Sequence, residues 1–229
     1  LIWQVNDAHE DHIEMSGEQV SAIIYYGSDA NNNLTLKRKL VWPMLRTIPN
    51  DTHASLIHDF PLSVSPKIAI NGADVVSERL AQVRIDGTLN LKSQLTEQVT
   101  LHRTLAPSTT QAFMVERLIF TNNGQHPIRL SLDSLDYSVK TKEELGVYGV
   151  YHIQATSAAV QEKLLSEGES LTVYVDYKAT KKGQSARFDG EKALAKRVAY
   201  VASLKSDLQL ATPDPVINKM FEFAKLRGA

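Results

Sequence analysis

The sequence predicts a mainly β fold: an antiparallel β-sandwich that is followed by a helix and by the start of a second helix. Short runs of alternating apolar and polar residues fill residues 1–188, and clusters of Asn, Asp and Gly separate them. No helical periodicity lies between these runs, which argues against βαβ units and nucleotide-binding α/β folds. Helical periodicity begins only at Asp189, and prolines then interrupt it. We therefore divide the chain into residues 1–188, 189–210 and 211–229.

The composition is typical of a globular protein without a strong electrostatic preference. Of its 229 residues, 43% are hydrophobic and 22% are charged, and the formal net charge is -1. This charge gives no electrostatic basis for nucleic acid or an anionic membrane as a partner. No apolar run is long enough for a membrane span. The chain has no cysteine, which excludes disulfides, thiol nucleophiles and cysteine-ligated zinc.

The first part of the sandwich is predicted from a hairpin. Residues 20–26 are β-branched and aromatic, residues 34–40 alternate between apolar and polar, and a turn cluster of Asp and Asn lies between them. Residues 41–50 are apolar but contain two prolines, Pro43 and Pro49. Because proline cannot donate a backbone hydrogen bond, we expect an edge strand or an irregular segment there.

Further along the chain, turn residues predict more strands at short spacing. Asn71-Gly72 is the strongest short hairpin signal, and Asp86-Gly87 is a turn of the same type. Residues 112–121 are mostly apolar and are predicted to form a long strand that is buried on both faces for part of its length. About ten strands in this arrangement indicate an antiparallel sandwich.

The first helix is predicted from an apolar stripe. Asp189 is a candidate N-cap, and Glu191 lies in the first turn, where the helix dipole favours a carboxylate. The predicted stripe, which has one polar interruption, consists of Leu194, Val198, Val201, Lys205 and Leu208. Two prolines in residues 213–215 end this helix.

The second helix begins at Asp214-Pro215, because Asp caps a helix and proline is tolerated at the first helical position. Its predicted stop is Gly228, and its predicted inward face consists of Val216, Ile217, Met220, Phe221 and Ala224. Such an apolar face requires a cover. The preferred interpretation is a second domain of the same polypeptide, and the alternative is that the helix folds back on the preceding region. If the face is exposed, we expect the chain to self-associate through it.

Three stretches resemble the N-terminal β-supersandwich domain of bacterial six-hairpin glycosidases. Residues 99–132 are similar to a run of strand, Pro-Ser, long strand, Thr-Asn and strand in such domains. Residues 191–210 are similar to the linker helix, and residues 210–228 to the entry into the first barrel helix. In its layout, the resemblance covers nearly the whole chain. None of the three stretches is a catalytic signature.

The resemblance implies a galactose mutarotase-like sandwich that precedes an (α/α)6 catalytic barrel. In this family the general acid and general base are carboxylates of the barrel. The sequence contains only the start of such a barrel, so no catalytic residue is carried over, and no cofactor or metal is implied. The resemblance further implies a bacterial protein of carbohydrate metabolism with a secreted or periplasmic location.

Two groups of residues are candidates for contact with a sugar or with another domain. Trp42, Arg46 and Asn50 lie in the proline-rich segment, where an indole can stack on a sugar face and a guanidinium can bind hydroxyl or carboxylate groups. The alternative is that Trp42 and Leu45 fill the core or an interface. His9 and His12 lie in a dense run of ionisable residues, which indicates a solvated edge or a loop near a neighbouring sugar site.

The leading functional hypothesis is a non-catalytic accessory domain of a glycoside hydrolase that packs on and supports the helical barrel. One alternative is a free-standing carbohydrate-binding module that uses Trp42 or the tyrosines Tyr25 and Tyr26 as a platform. Another is a sugar epimerase of the mutarotase type, which requires an acid and a base in one cleft. No motif in the sequence pairs a histidine with a carboxylate for that role.

Overall fold

The computed structural model describes residues 1–48, 53–184 and 187–228, and these ranges contain sixteen β-strands and two α-helices. The strands are β1 Ile2–Gln4, β2 His9–Ser16, β3 Ser21–Ser28, β4 Leu34–Thr47, β5 Ala54–Phe60, β6 Ile68–Ile70, β7 Ala73–Asp74, β8 Arg79–Ile85, β9 Leu89–Gln94, β10 Val99–Pro107, β11 Phe113–Asn122, β12 Ile128–Leu132, β13 Leu135–Lys140, β14 Tyr151–Ser157, β15 Val160–Leu165 and β16 Ser170–Lys181. The helices are α1 Gly190–Ser206 and α2 Pro215–Gly228. This order confirms the predicted fold class.

The strands form three antiparallel sheets. The large sheet has eight strands in the order β1-β8-β9-β10-β11-β16-β14-β13. One small sheet has the order β2-β3-β4-β5, and the other has the order β15-β12-β6-β7. Most neighbours are joined by short connections, as is usual in an antiparallel sandwich.

One continuous core joins the three sheets. Leu101 and Phe120 of the large sheet belong to the same buried cluster as Ile24 and Leu130 of the two small sheets. Alternate residues of β10 and β11 point away from this cluster, as the period of a strand requires. The small sheets therefore cover the inner face of the large sheet, and its other face is available for α1 and for solvent.

A cluster of buried charges lies between the β4 sheet and the large sheet. Glu116 of β11 accepts hydrogen bonds from Arg38 of β4, Arg103 of β10 and Tyr177 of β16. Arg103 also donates to Glu78, at 2.6 and 2.8 Å. Burial alone would raise the pKa of Glu116, but the two guanidinium groups outweigh it and hold that pKa below its usual range. The cluster is thus a compensated set of charges.

The turn residues have the predicted backbone conformations. Asn71 and Gly72 join β6 to β7 with φ angles of 52° and 80°, both in the region that a tight hairpin turn needs. Gly87 joins β8 to β9 with a φ angle of 91°. The predicted hairpin of residues 20–26 and 34–40 is also present, since β3 pairs with β4 along its whole length.

The proline-rich segment belongs to a long strand. β4 runs through Pro43 and ends at Thr47. Its pairing with β5 is irregular between Trp42 and Arg46, so the missing N–H of Pro43 lies where the ladder is already interrupted. The predicted irregularity is thus a bulge inside a strand that lies between β3 and β5.

Helix α1 packs on the outer face of the large sheet. Its N-cap is Asp189, whose carboxylate accepts the backbone N–H of Lys192 at 3.0 Å, as predicted. Ala193 and Leu194 contact a small cluster that includes Phe113 and Val115. Only Leu194 and Val201 of the predicted stripe are buried: Val198 is exposed, Lys205 is half-buried, and Leu208 is exposed and lies beyond the end of α1. In the structure, the buried residues of this helix are Gly190, Ala193, Leu194, Arg197 and Val201.

Helix α2 begins at Pro215, and it forms a helical hairpin with α1. Asp214 accepts the backbone N–H of Val216 at 2.8 Å, which confirms the predicted start. The ammonium of Lys225 donates to the carbonyl oxygen of Lys205 at 2.9 Å, near the end of α1. Phe223 packs against the core of the sandwich. The helix is therefore in contact with both α1 and the β structure.

Candidate functional site

The proposed sugar-contacting segment does not present its aromatic residue. Trp42 is fully buried, and its indole N–H donates to the carbonyl oxygen of Ala112 at 2.9 Å. No face of the ring is open to a ligand, so the structure favours the interpretation in which Trp42 fills the core. Arg46 is partly exposed and donates to the carbonyl oxygen of His53 at 3.2 Å. Asn50 lies outside the described residues.

The histidine-rich run is an exposed edge strand. His9 and His12 lie on β2, which pairs with β3 only. The ring of His12 lies 5.5 Å from the ring of Tyr25, and Lys37 lies over the same tyrosine. Of the two tyrosines considered as a platform, Tyr25 is partly accessible, whereas Tyr26 is buried. In the described part of the chain, no group of three His, Asp or Glu side chains is placed to hold a metal ion.

The apolar face of α2 is open to solvent. Val216, Ile217 and Met220 are 61%, 47% and 67% exposed. Phe221 is half-buried and lies below the ammonium of Lys225. We call Val216, Ile217 and Met220 the helix stripe. Exposed apolar groups that share one helix face mark an interaction surface more often than isolated ones do.

A second candidate surface lies on the outer face of the large sheet. It is a groove of ≈ 330 Å³ across β8, β9, β10 and β11, which we call the sheet-face groove. Its lining residues are Gln82, Arg84, Asn90, Lys92, Thr100, His102, Ile119, Thr121 and Asn123. Most of these side chains are amides, hydroxyls or cations, so the groove suits a hydroxyl-rich or anionic ligand.

Strand register brings these side chains together. Lys92 of β9 is directly opposite His102 of β10, and Asn90 is opposite Thr104. Arg117 of β11 is opposite Thr104 and donates to its hydroxyl at 3.1 Å. The same hydroxyl donates to Asn90 at 3.1 Å. This chain of hydrogen bonds fixes the floor beside the groove.

His102 is the histidine that lines the groove. Burial, followed by the charges of Arg117, Lys92 and Arg84, lowers the pKa of its imidazole. Its charged neighbours are thus all cations, and no carboxylate among the residues of the three described ranges forms a hydrogen bond with it. The groove therefore lacks the paired acid and base that a sugar epimerase needs.

Sequence reasoning missed the sheet-face groove. Its lining cations Arg84 and Lys92 come from separate strands, and only the sheet order places them near each other and near Arg117, which lies beside the groove. The available signal was the strand period, since Lys92 and His102 each alternate with buried leucines. That signal assigns a residue to the outer face but does not show which strands are neighbours.

Comparisons with known proteins give no family assignment. No protein-family model matches this chain, and no curated protein matches it at a significant level of sequence similarity. The structure agrees with the expectation of no membrane-spanning helix: neither α1 nor α2 combines the length and hydropathy that crossing a bilayer requires.

Proposed function

We propose that this chain is a non-catalytic accessory domain of a glycoside hydrolase, in which the α1–α2 hairpin packs on a helical catalytic barrel. The observation that carries the proposal is the helix stripe. Three large apolar side chains on one face of α2 remain open to solvent, although the same helix contacts α1 and packs Phe223 against the sandwich core. A protein surface of this kind is stabilised when a partner covers it.

The hairpin is held firmly enough to act as a platform. Arg197 of α1 donates to the carbonyl oxygens of two residues of the sandwich: Ser16 at the end of β2 and Gly87 in the turn between β8 and β9. Lys225 of α2 donates to the carbonyl oxygen of Lys205 in the last turn of α1 and to that of Leu208, which follows the helix. A partner that docks on the helix stripe is therefore coupled to α1 through Lys225, and α1 is coupled to the sandwich through the half-buried bonds of Arg197.

The substrate class rests on the resemblance to six-hairpin glycosidases. In that family a sandwich is followed by a linker helix and an entry helix, and this chain has strands followed by two helices. The barrel would supply the acid and base carboxylates. The sandwich would supply the docking surface. A secreted or periplasmic location belongs to the same proposal.

The test is glycan hydrolysis by the complete natural gene product. We expect it to release reducing ends from a polysaccharide panel, and we expect the 229-residue chain to be inactive. The double variant Ile217→Glu/Met220→Glu should lower the stability and activity of the complete protein, because it places two charges in the proposed interface. Met44→Glu is the matched control, since Met44 is 64% exposed on β4. Hydrolysis by the 229-residue chain itself would contradict the proposal, as would equal behaviour of the two variant proteins.

The helix stripe also explains why self-association is expected of the chain alone. At high concentration, two copies can cover each other's Val216, Ile217 and Met220. Sedimentation velocity should show a dimer that the double variant does not form. A strictly monomeric chain at millimolar concentration would show that the stripe does not need a cover.

A second candidate is a glycan-binding module that uses the sheet-face groove. The observation that favours it is the cationic and amide lining, in which Lys92 and His102 lie directly opposite each other. An oligouronate should bind, and an uncharged oligoglucan of equal length should bind more weakly. Lys92→Ala should weaken the oligouronate complex, and Lys67→Ala, on the far side of the sandwich core, should not. Equal affinities for both glycans would remove this candidate.

A further inference from the structure

A pocket lies where the helical hairpin meets the sandwich. It has a volume of ≈ 510 Å³ and lies among β2, the turn between β8 and β9, and both helices. Leu204 of α1, Leu226 and Phe223 of α2, and Met15 of β2 give it an apolar wall. We call it the hairpin pocket. Its size lies within the range of small-molecule sites, which is about 300–1,000 Å³.

Arg197 lines this pocket and is 8% exposed. Its Nη1 donates to the carbonyl oxygen of Ser16 at 2.8 Å, and its Nε donates to that of Gly87 at 3.2 Å. A guanidinium has five N–H groups, so these two bonds leave three N–H groups for another acceptor. Both bonds go to neutral carbonyl oxygens, which position the cation but do not neutralise its charge.

The other buried arginines of the described chain have carboxylate partners. Arg38 and Arg103 each pair with a glutamate at 2.8 Å or less. Within residues 1–48, 53–184 and 187–228, no carboxylate lies within ion-pair distance of Arg197. Glu14 lines the same pocket but is exposed and does not pair with Arg197.

A buried cation without a counter-ion is unfavourable, and an anion that reaches it gains both charge neutralisation and hydrogen bonds. Burial lowers the pKa of Arg197, in agreement with a charge that lacks a counter-ion. Arg227 at the pocket wall adds a second cation. The Tyr200 ring lies 5.9 Å from the guanidinium carbon of Arg197 and gives it a cation–π contact but no negative charge. The pocket thus combines an apolar wall with a cation that has no carboxylate partner among the described residues.

We propose that the hairpin pocket binds a small amphipathic carboxylic acid, whose carboxylate pairs with Arg197 and whose apolar body lies against Leu204 and Phe223. This inference goes beyond the accessory role and does not depend on it. A guanidinium matches a carboxylate through two parallel hydrogen bonds, so this anion suits the unused N–H groups of Arg197. Such a ligand would join α1, α2 and β2 and would stabilise the hairpin on the sandwich.

The experiment is a calorimetric titration of the 229-residue chain with octanoate, octylamine and octan-1-ol, with the site located by NMR chemical shifts. Octanoate should bind at least about tenfold more tightly than the amine and the alcohol, because charge-assisted hydrogen bonds in a buried site exceed neutral ones. The shifts should centre on residues of β2, α1 and α2. No saturable binding of octanoate up to about 10 mM would overturn the proposal.

Two variants separate binding from folding. Arg197→Met removes the cation and should lower the affinity for octanoate by about tenfold or more. Because Arg197 also anchors α1, Leu204→Trp is the second variant: it keeps Arg197 and places an indole where the apolar body of octanoate would lie, so it should also weaken binding. Arg129→Met is the control, since Arg129 is an exposed arginine on β12. Binding that survives in both pocket variants would place octanoate elsewhere and would refute the assignment.

Discussion

Arg38 and Glu116 form a bidentate ion pair between β4 of a small sheet and β11 of the large sheet, with Nε–Oε2 and Nη2–Oε1 distances of 2.8 and 2.9 Å. Both side chains are buried. Arg103 and Tyr177 donate to the same carboxylate. Glu116 therefore accepts from two cations and one hydroxyl, and its charge compensates the burial of Arg38 and, together with Glu78, that of Arg103.

Glu116→Gln should be strongly destabilising. The amide has no charge, so Arg38 and the Nη1 side of Arg103 lose their anionic partner in the interior. Removing one member of a buried pair costs about 3–5 kcal/mol, and we expect a loss of that size in the free energy of unfolding. Urea denaturation followed by circular dichroism measures it.

The matched control for this prediction is Glu162→Gln. Glu162 pairs with Arg129 at 3.5 Å, and both side chains are largely exposed. An exposed pair contributes at most about 1 kcal/mol, so this variant should unfold close to the wild type. Similar losses in the two variants would show that the buried position of Glu116 has no special energetic role.

Gly87→Ala should loosen the docking of α1. Gly87 has a φ angle of 91°, and an added Cβ would lie 2.5 Å from Cγ2 of Val201 in α1. We expect a loss of about 1–3 kcal/mol from overpacking, in addition to the backbone strain. Thermal unfolding gives the stability, and hydrogen exchange of the α1 amides shows where it is lost.

Gly72→Ala isolates the contact with the helix. Gly72 has a φ angle of 80°, and nothing lies within 4 Å of an added Cβ. This variant therefore carries comparable backbone strain without the contact. If α1 exchanges equally fast in both variants, the predicted clash with Val201 does not occur.

The imidazole of His102 should make the fold less stable in mild acid. Burial and three neighbouring cations lower its pKa in the folded state below the usual value of 6.5. The unfolded chain then binds more protons as the pH falls through 6.5, so the free energy of unfolding decreases from there down through the folded pKa. His58, whose pKa is lowered chiefly by burial, acts in the same direction.

His102→Asn should therefore flatten the pH dependence of stability between about pH 7 and pH 5. Denaturant midpoints at several pH values measure this dependence, and NMR titration of the imidazole gives its pKa directly. His126→Gln is the control, because His126 lies exposed in the loop after β11. A folded pKa for His102 above that of an unfolded peptide would reverse the sign and contradict this account of the groove.

Local patterns predicted the elements of this fold better than they predicted its assembly. Asn71-Gly72 and the caps Asp189 and Asp214 are set by backbone chemistry within a few residues, and all are where the sequence places them. The run that forms the edge strand β2 was predicted as a solvated edge or a loop, and its charged residues hide the alternation of Ile13 and Met15 that would have decided for a strand. Sheet order depends on long-range pairing that no single segment encodes.

On α1, the sequence did not predict that Arg197 is buried. The apolar stripe predicted Val198 and Leu208 as buried, whereas α1 buries Arg197. A long arginine stem covers apolar surface while its head group donates to the carbonyl oxygens of Gly87, in the turn after β8, and of Ser16 in β2, and residue type alone does not predict this placement. For the same reason, the sequence did not indicate the hairpin pocket.

The most direct test of the central claim is oxidation of methionine in the 229-residue chain and in the complete gene product. In the dilute chain, Met220 and Met44 are exposed, whereas Met15 and Met114 are buried and serve as protected references. Hydroxyl-radical footprinting should therefore oxidise the first two and spare the others. If α2 packs on a catalytic barrel, Met220 becomes protected in the complete protein while Met44 stays reactive. Equal oxidation of Met220 and Met44 in the complete protein would contradict the docking role of the helix stripe.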